Sequence, residues 1–365
     1  MAFKLQDFGK TTWRAVGLLF VLLPFSSCLF YWCRSTNSLA LSSFAYLTLF
    51  NIGSLLTCAL SVLVSKQQPT PKFSYGLERL NVLAVFSTTI ILILAGLNQI
   101  KLCSERLFDP PQVSTDNMLL AVVLGLTLHL TVMLMVDNKP LAHAAHAATP
   151  NWLQSMLNDV GHSVGSMFPG LGHLLLLRLN PISLLALGQS LSVLTAKIFI
   201  DFDELYLADV AGALFNTALI CGTMLPLSIY CGKILLQTAP EHLLPLLDKS
   251  LREVSALDGV LELKGEHFWT IAFGSYAGSV HVRVRREADE QEVLSQVHSC
   301  LSSQINDLTV QVVKDDLIIP TAPPTNIPVG VVSPTLPCPP PHQTHSHSHS
   351  HSHSHATPHS VVVNL

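Results

Sequence analysis

Apolar positions along this chain gather into long blocks before they settle into shorter periodic patterns. Apolar runs long enough to cross about 30 Å of hydrocarbon occupy residues 15–33, 37–65, 80–100, 117–136, 160–177, 179–196 and 208–231, uncharged but for Asp209. Past residue 238 the pattern changes. EHLLPLLDKSLREVSAL reads as an amphipathic helix, GVLELKGEHFWTIAF and GSVHVRVRR read as strands, EADEQEVLSQVHSCLSSQI returns to helix, and LTVQVVKD is a last strand. The chain is therefore expected to be a bundle of membrane-spanning helices followed by a small α+β domain of helix-strand-strand-helix-strand order.

Charge sets the number of crossings. Lys4, Lys10 and Arg14 precede the first run, and Lys66, Lys72 and Arg79 follow the second, which places both flanks on the cytosolic side. Asp201, Asp203 and Glu204 before the last run fit the opposite side. The mixed charges of the C-terminal domain, with Arg283, Arg285 and Arg286, suggest the cytosol, so the number of crossings is even and seven is one too many. The weakest run is 160–177, VGHSVGSMFPGLGHLLLL, with two histidines, four glycines and a proline. It reads as a re-entrant or surface-lying part of a cytosolic insertion over 137–178. The first run has no small-residue cleavage site behind it, so it is no signal peptide. The expected organisation is a cytosolic N-terminus at 1–14, a six-helix membrane domain at 15–235, a cytosolic α+β domain at 236–317 and a tail at 318–365.

Composition agrees, with 49% hydrophobic and 12% charged residues. The eight cysteines lie mostly inside apolar runs and lack CxxC spacing, which argues against a disulfide framework or a thiolate metal site. No nucleophile-base pair, phosphate loop or cofactor fingerprint supports an enzyme. The tail is rich in proline and unable to form a packed core, so it reads as a disordered tether. Eight of the seventeen histidines fall between residues 342 and 359. In HSHSHSHSHSH, His345, His347, His349, His351, His353 and His355 alternate with serine. An extended chain then points successive imidazoles to one side, where three or four can wrap one Zn2+, Ni2+ or Cu2+ loosely.

STNSLALSSFAYLTLFNIGSLL, FSYGLERLNVLAVF, ELYLADVAGALFNTALICGTM, GKILLQTAPEHL and GVLELKGEHFWTIAFGSYAGSVHVRVRR, in that order, resemble the cation diffusion facilitator (solute carrier 30) family of zinc transporters. The likeness covers nearly all of 15–316. It implies a membrane all-α bundle of six transmembrane helices, a C-terminal α+β metallochaperone-like cytosolic domain and dimer formation. It also implies Zn2+ as the transported ion, with no cofactor required. In the family, a His and an Asp four residues apart on span two, and another such pair on span five, place four ligands around zinc, because residues i and i+4 share a helix face. Here the span-two positions fall on Leu47 and Asn51, and the span-five positions, counted from Ala208 and Asp209, on Ile182 and Ala186. A rival alignment through SMLNDVGHSVGS gives Ser155 and Asp159, which keeps one carboxylate but breaks the spacing to span six.

Other candidates are thinner. His129 is taken as the remaining intramembrane ionisable group, a buried neutral imidazole hydrogen-bonded to a neighbouring helix. His143 and His146 of HAAH share a helix face, as exposed histidines or a weak metal pair. His267 and His281 match positions where family members place cytosolic zinc ligands, and are otherwise ordinary strand residues. Glu78 and Arg79 resemble a charged pair of the family's gate, with Asn81 where a second Glu is common. The resemblance leaves two functional readings. One is an auxiliary, non-conducting subunit that pairs with a transport-competent, zinc transporter 5-like member in the Golgi and early secretory pathway, both termini cytosolic. The other is a zinc/proton antiporter with an altered site.

Overall fold

A computed structural model describes residues 2–136, 138–149, 155, 159, 181–315 and 361–364. It divides into two compact units, Met1–Leu244 with Phe268–Ala277, and Pro245–His267 with Gly278–Leu365.

The first unit carries α1 (Ala2–Thr36), α2 (Leu39–Ser65), α3 (Arg79–Arg106), α4 (Met118–Met135), α5 (Lys139–Ala148), α6 (Pro181–Asp203) and α7 (Leu207–Leu235). Six of these, all but α5, contain stretches long and apolar enough to cross a bilayer, and the protein is a multi-pass membrane protein. The segment 160–177 lies outside the described residues.

Four spans run further than hydropathy alone suggested, the first to Thr36 and the sixth to Leu235 among them. The third continues to Arg106 and the fifth covers Ile182–Asp203 rather than 179–196. The fifth takes in polar residues because Lys197 Nζ pairs with Asp201 Oδ2 one helical turn on, at 2.5 Å, so the end of the helix satisfies its own charges. Asp201 also accepts from Thr115 Oγ1 at 2.6 Å. The acidic stretch taken as a loop is thus mostly helix. Beyond α4, HAAH lies on α5, whose start is fixed by Asn138 accepting from Leu141 N–H at 3.3 Å, with a proline in the first turn.

α2 is the central helix, half of it buried among α1, α3, α4, α6 and α7. Its approach to α4 depends on Gly125. A Cβ there would sit 2.6 Å from Phe44 Cε1, and Phe44 itself is fully buried. Small residues let helices close on one another where no hydrophobic force between helices exists.

The second unit contains most of α8 (Leu244–Ser255), β1 (Val260–Ala272), β2 (Ser275–Val284), α9 (Glu290–Leu301), β3 (Asp307–Lys314) and β4 (Val361–Asn364). The sheet order is β1-β2-β3-β4. β1 and β2 form a hairpin, and β2 and β3 finish at the same end, where Asp315 N–H donates to Val284 O at 2.9 Å. Alternate residues Val280, Val282 and Val284 of β2 and Leu308, Val310 and Val312 of β3 are buried together with Val293, Val297 and Leu301 of α9. Asp289 caps α9 by accepting from Gln291 N–H at 2.9 Å.

The expectation of a tail wholly without packed structure needs correction at its far end. Val361–Asn364 pairs antiparallel with β3, Thr309 opposite Asn364 and Val312 opposite Val361. Three consecutive β-branched valines suit the edge that β3 would otherwise leave open. The organisation differs in one further respect: Phe268–Ala277, the hairpin tip, counts with the helical unit, where Phe273 stacks on Tyr230 with ring centroids 6.4 Å apart.

Candidate functional site

Ser43, Leu47, Asn51 and Ser54 recur along one face of α2 and are all buried. At the start of the helix the polar groups are fully matched. Asp209, at the first turn of α7, accepts from Ser38 Oγ at 2.5 Å, from Leu39 N–H at 2.6 Å and from Ala40 N–H at 3.1 Å. A carboxylate set on the exposed amides of a helix N-terminus satisfies them and meets the positive end of the dipole. Arg106 of α3 holds the preceding turn, donating to Asn37 O at 2.7 Å and to Asn37 Oδ1 at 2.8 Å. Gln99 of α3 donates to Leu39 O at 2.9 Å. In the sequence Asp209 stands out only as a landmark at the start of the last span, with His129 taken as the remaining ionisable group within the spans. The missed signal was a single acid inside an otherwise uncharged apolar run, which is costly in a membrane without a partner.

One turn on, Asn216 of α7 donates to Ser43 Oγ at 3.0 Å, and Gln189 of α6 reaches Asn216 O at 3.5 Å. Leu47 then follows on α2, and Asn51 after it. Leu47, Ile182 and Ala186 are buried in one apolar cluster. Asn51 is 3% exposed, and its Oδ1 lies 2.8 Å from His129 Nδ1 of α4. Since the amide oxygen accepts, the imidazole carries its proton on Nδ1. His129 Nε2 is left as a buried lone pair with no partner. Toward the far end of α2, Asn138 donates to Ser54 O at 2.8 Å, Ser54 Oγ at 3.1 Å and Thr57 Oγ1 at 2.8 Å.

None of the four positions aligned with zinc ligands holds a charged or imidazole group. Among the described residues, no group of three or more His, Cys, Asp or Glu is arranged to hold a metal ion. Ser155 and Asp159 are both exposed.

Arg79 and Gln237 meet at the end of the bundle away from Asp209. With its amide turned to satisfy both groups, Gln237 oxygen accepts from Arg79 Nη1 at 3.0 Å and Nη2 at 2.6 Å. Glu78 is exposed beside it. His143 rests against Phe273, ring centroids 5.8 Å apart. Burial, followed by the neighbouring His146 and His242, holds His143 below the ordinary histidine range. In the second unit, His267 and His281 are both exposed on β1 and β2. Gly265 packs directly on the His281 ring, where a Cβ would come within 2.9 Å of Cδ2, and its φ of +61° suits glycine as well. The His-Ser repeat, His345 to His355, lies outside the described residues.

Comparison with known proteins places this architecture. Residues 15–236 match the family described as the cation efflux transmembrane domain. Zinc transporter 6 of Bos taurus is 42% identical over 318 residues, which covers 87% of this chain and 69% of that protein. Zinc transporter 6 of Homo sapiens gives the same identity and coverage. Zinc transporter 6 of Danio rerio is 43% identical over 316 residues, 86% of this chain and 65% of the relative. With six spanning helices, a C-terminal sheet-and-helix domain and a family match over most of its membrane part, the chain belongs to the cation efflux family of transporters, the cation diffusion facilitators.

Proposed function

We propose that this chain is an auxiliary, non-conducting subunit of a heterodimeric zinc transporter. The complex moves cytosolic Zn2+ into the lumen of the Golgi and early secretory pathway in exchange for protons, and a zinc transporter 5-like partner carries the zinc site. The names of the relatives supply the cargo. The observation that carries the auxiliary role is the chemistry at the positions that match the family's ligand spacing, where Leu47, Asn51, Ile182 and Ala186 are buried without charge. Zinc crossing a bilayer needs about four N, O or S ligands, with enough negative charge or imidazole to replace its water. An asparagine carbonyl supplies neither charge nor an exchangeable proton. The polar groups retained instead, Asp209 foremost, join helices to one another.

Loose zinc binding by the His345–His355 repeat fits a collecting or sensing role on the cytosolic face, and His267 with His281 would add a weaker pair. His267 and His281 lie outside the six spanning helices.

The test is reconstitution in proteoliposomes with an internal zinc reporter, the full chain alone and then together with a transport-competent partner. Uptake driven by a pH gradient is expected only in the second case. Uptake by the chain alone, surviving deletion of 342–359, would establish the antiporter reading instead.

A further inference from the structure

Five buried side-chain atoms among the described residues have no hydrogen-bond partner: two, Arg79 Nε and Asn81 Oδ1, lie at the start of α3, and three, His129 Nε2, Asn216 Oδ1 and Gln189 Oε1, lie on α4, α7 and α6 around α2. The three residues around α2 are 3%, 0% and 0% exposed. All three atoms are acceptors: two are amide oxygens, and His129 Nε2 is the unprotonated nitrogen of a ring whose Nδ1–H donates to Asn51 Oδ1. What each lacks is a donor. Leaving such an acceptor dry costs about 1–3 kcal/mol, and the small neutral donor that enters a protein interior is water. No carboxylate or thiolate joins them to form a cation site among the described residues.

The three atoms fall at two levels. Asn216 donates to Ser43, and Gln189 meets Asn216, so this pair belongs to the Ser43 level. His129 belongs to the Asn51 level, eight residues further along α2 and so roughly 12 Å away at 1.5 Å per residue. Between these levels, on the same face of α2, stands Leu47, 2% exposed. Ala186, 0% exposed, lies about one turn of α6 from Gln189, and Ile182 follows it in the same apolar cluster.

We infer that the bundle holds two internal water sites, one at His129 and one at Asn216 and Gln189, and that the apolar layer of Leu47, Ile182 and Ala186 between them keeps the protein tight to protons. A narrow apolar stretch excludes water and breaks any hydrogen-bonded chain along which a proton could hop. The inference rests on the auxiliary reading for its biological purpose: a partner that spends a proton gradient on zinc needs a neighbour that does not dissipate it. The side chains that displace the zinc ligands would then serve as the seal.

Liposomes containing the purified full chain, an internal pH dye and no zinc give the test. Wild type and Leu47→Ile are expected to hold a pH gradient as protein-free liposomes do, whereas Leu47→Asn dissipates it roughly tenfold faster by bridging the two levels. A leak through wild type overturns the inference, as does a folded Leu47→Asn that stays tight. Radiolytic hydroxyl-radical labelling of wild type decides the matter even where Leu47→Asn does not fold. Label at His129 with Leu47 spared is expected; equal label at both, or none at His129, overturns it. The zinc-free readout separates failure of the seal from failure of the auxiliary role, which only zinc uptake by the chain alone would show.

Discussion

Two stretches along α2, centred ten residues apart, treat buried polarity in opposite ways. At Ser38–Ala40 the carboxylate of Asp209 faces three donors, and every partner named there is matched. At Leu47–Asn51, where the family's ligand spacing falls, one asparagine meets one histidine and the remaining imidazole nitrogen is left without a partner. The membrane part has kept the charge that fastens helices and has none where the family would place zinc. The two stretches thus place charge differently: at the start of α2 it fastens helices to one another, and at Leu47–Asn51 there is none.

The comparison breaks most visibly at Asp209. Asp209→Ala leaves Ser38 Oγ and the N–H groups of Leu39 and Ala40 without their acceptor, and is expected to cost on the order of 3 kcal/mol, read as a lower melting temperature in detergent. Asp209→Asn keeps one acceptor oxygen and falls between. Equal stability of all three proteins would remove the structural role given to this carboxylate. Gly125→Leu drives a side chain into Phe44 and is expected to cost about 2 kcal/mol by the same measurement.

The mid-membrane pair should matter less. A double-mutant cycle through Asn51→Leu and His129→Leu is expected to give a coupling of roughly 1 kcal/mol. A coupling as large as the Asp209 effect would mean that the middle of the helix carries the same structural weight as its start.

The smallest effect lies at His143. Burial, His146 and His242 hold its folded pKa down, so the unfolded chain takes up a proton first. This contribution is complete above the ordinary histidine value of about 6.5 and is lost as pH falls below it. Between about pH 7.5 and pH 5.5 the wild-type melting temperature should drop slightly more than that of His143→Gln. An identical drop in both would contradict the shift.

Apolar runs marked seven candidate spans, charge distribution reduced them to six, and the order of the soluble elements was legible too, because long apolar runs and period-two strands are local signals. What escaped these signals depends on partners far along the chain. Asp209 sits 170 residues from the amide of Leu39 that it caps, and His129 sits 78 residues from Asn51. Neither pairing leaves a mark in local composition, so Asp209 served only as a landmark for the start of the last span. The extension of α6 to Asp203 was hidden because Asp201 and Asp203 look like a loop until Lys197 is seen paired within the same helix. β4 was missed because VVVN is separated from β3 by a long proline- and histidine-rich stretch. The candidate site positions were legible only through the family's spacing, since leucine, isoleucine and alanine in a membrane helix carry no chemical signal of their own.

The central claim, that this chain does not carry zinc by itself, is tested most directly by zinc uptake into proteoliposomes holding the wild-type chain alone, beside a variant with Leu47→His, Asn51→Asp, Ile182→His and Ala186→Asp. No pH-driven uptake by wild type, with uptake appearing when the four ligands are installed, is the expected result. Uptake by the wild-type chain at a rate comparable to that of the four-ligand variant would contradict it.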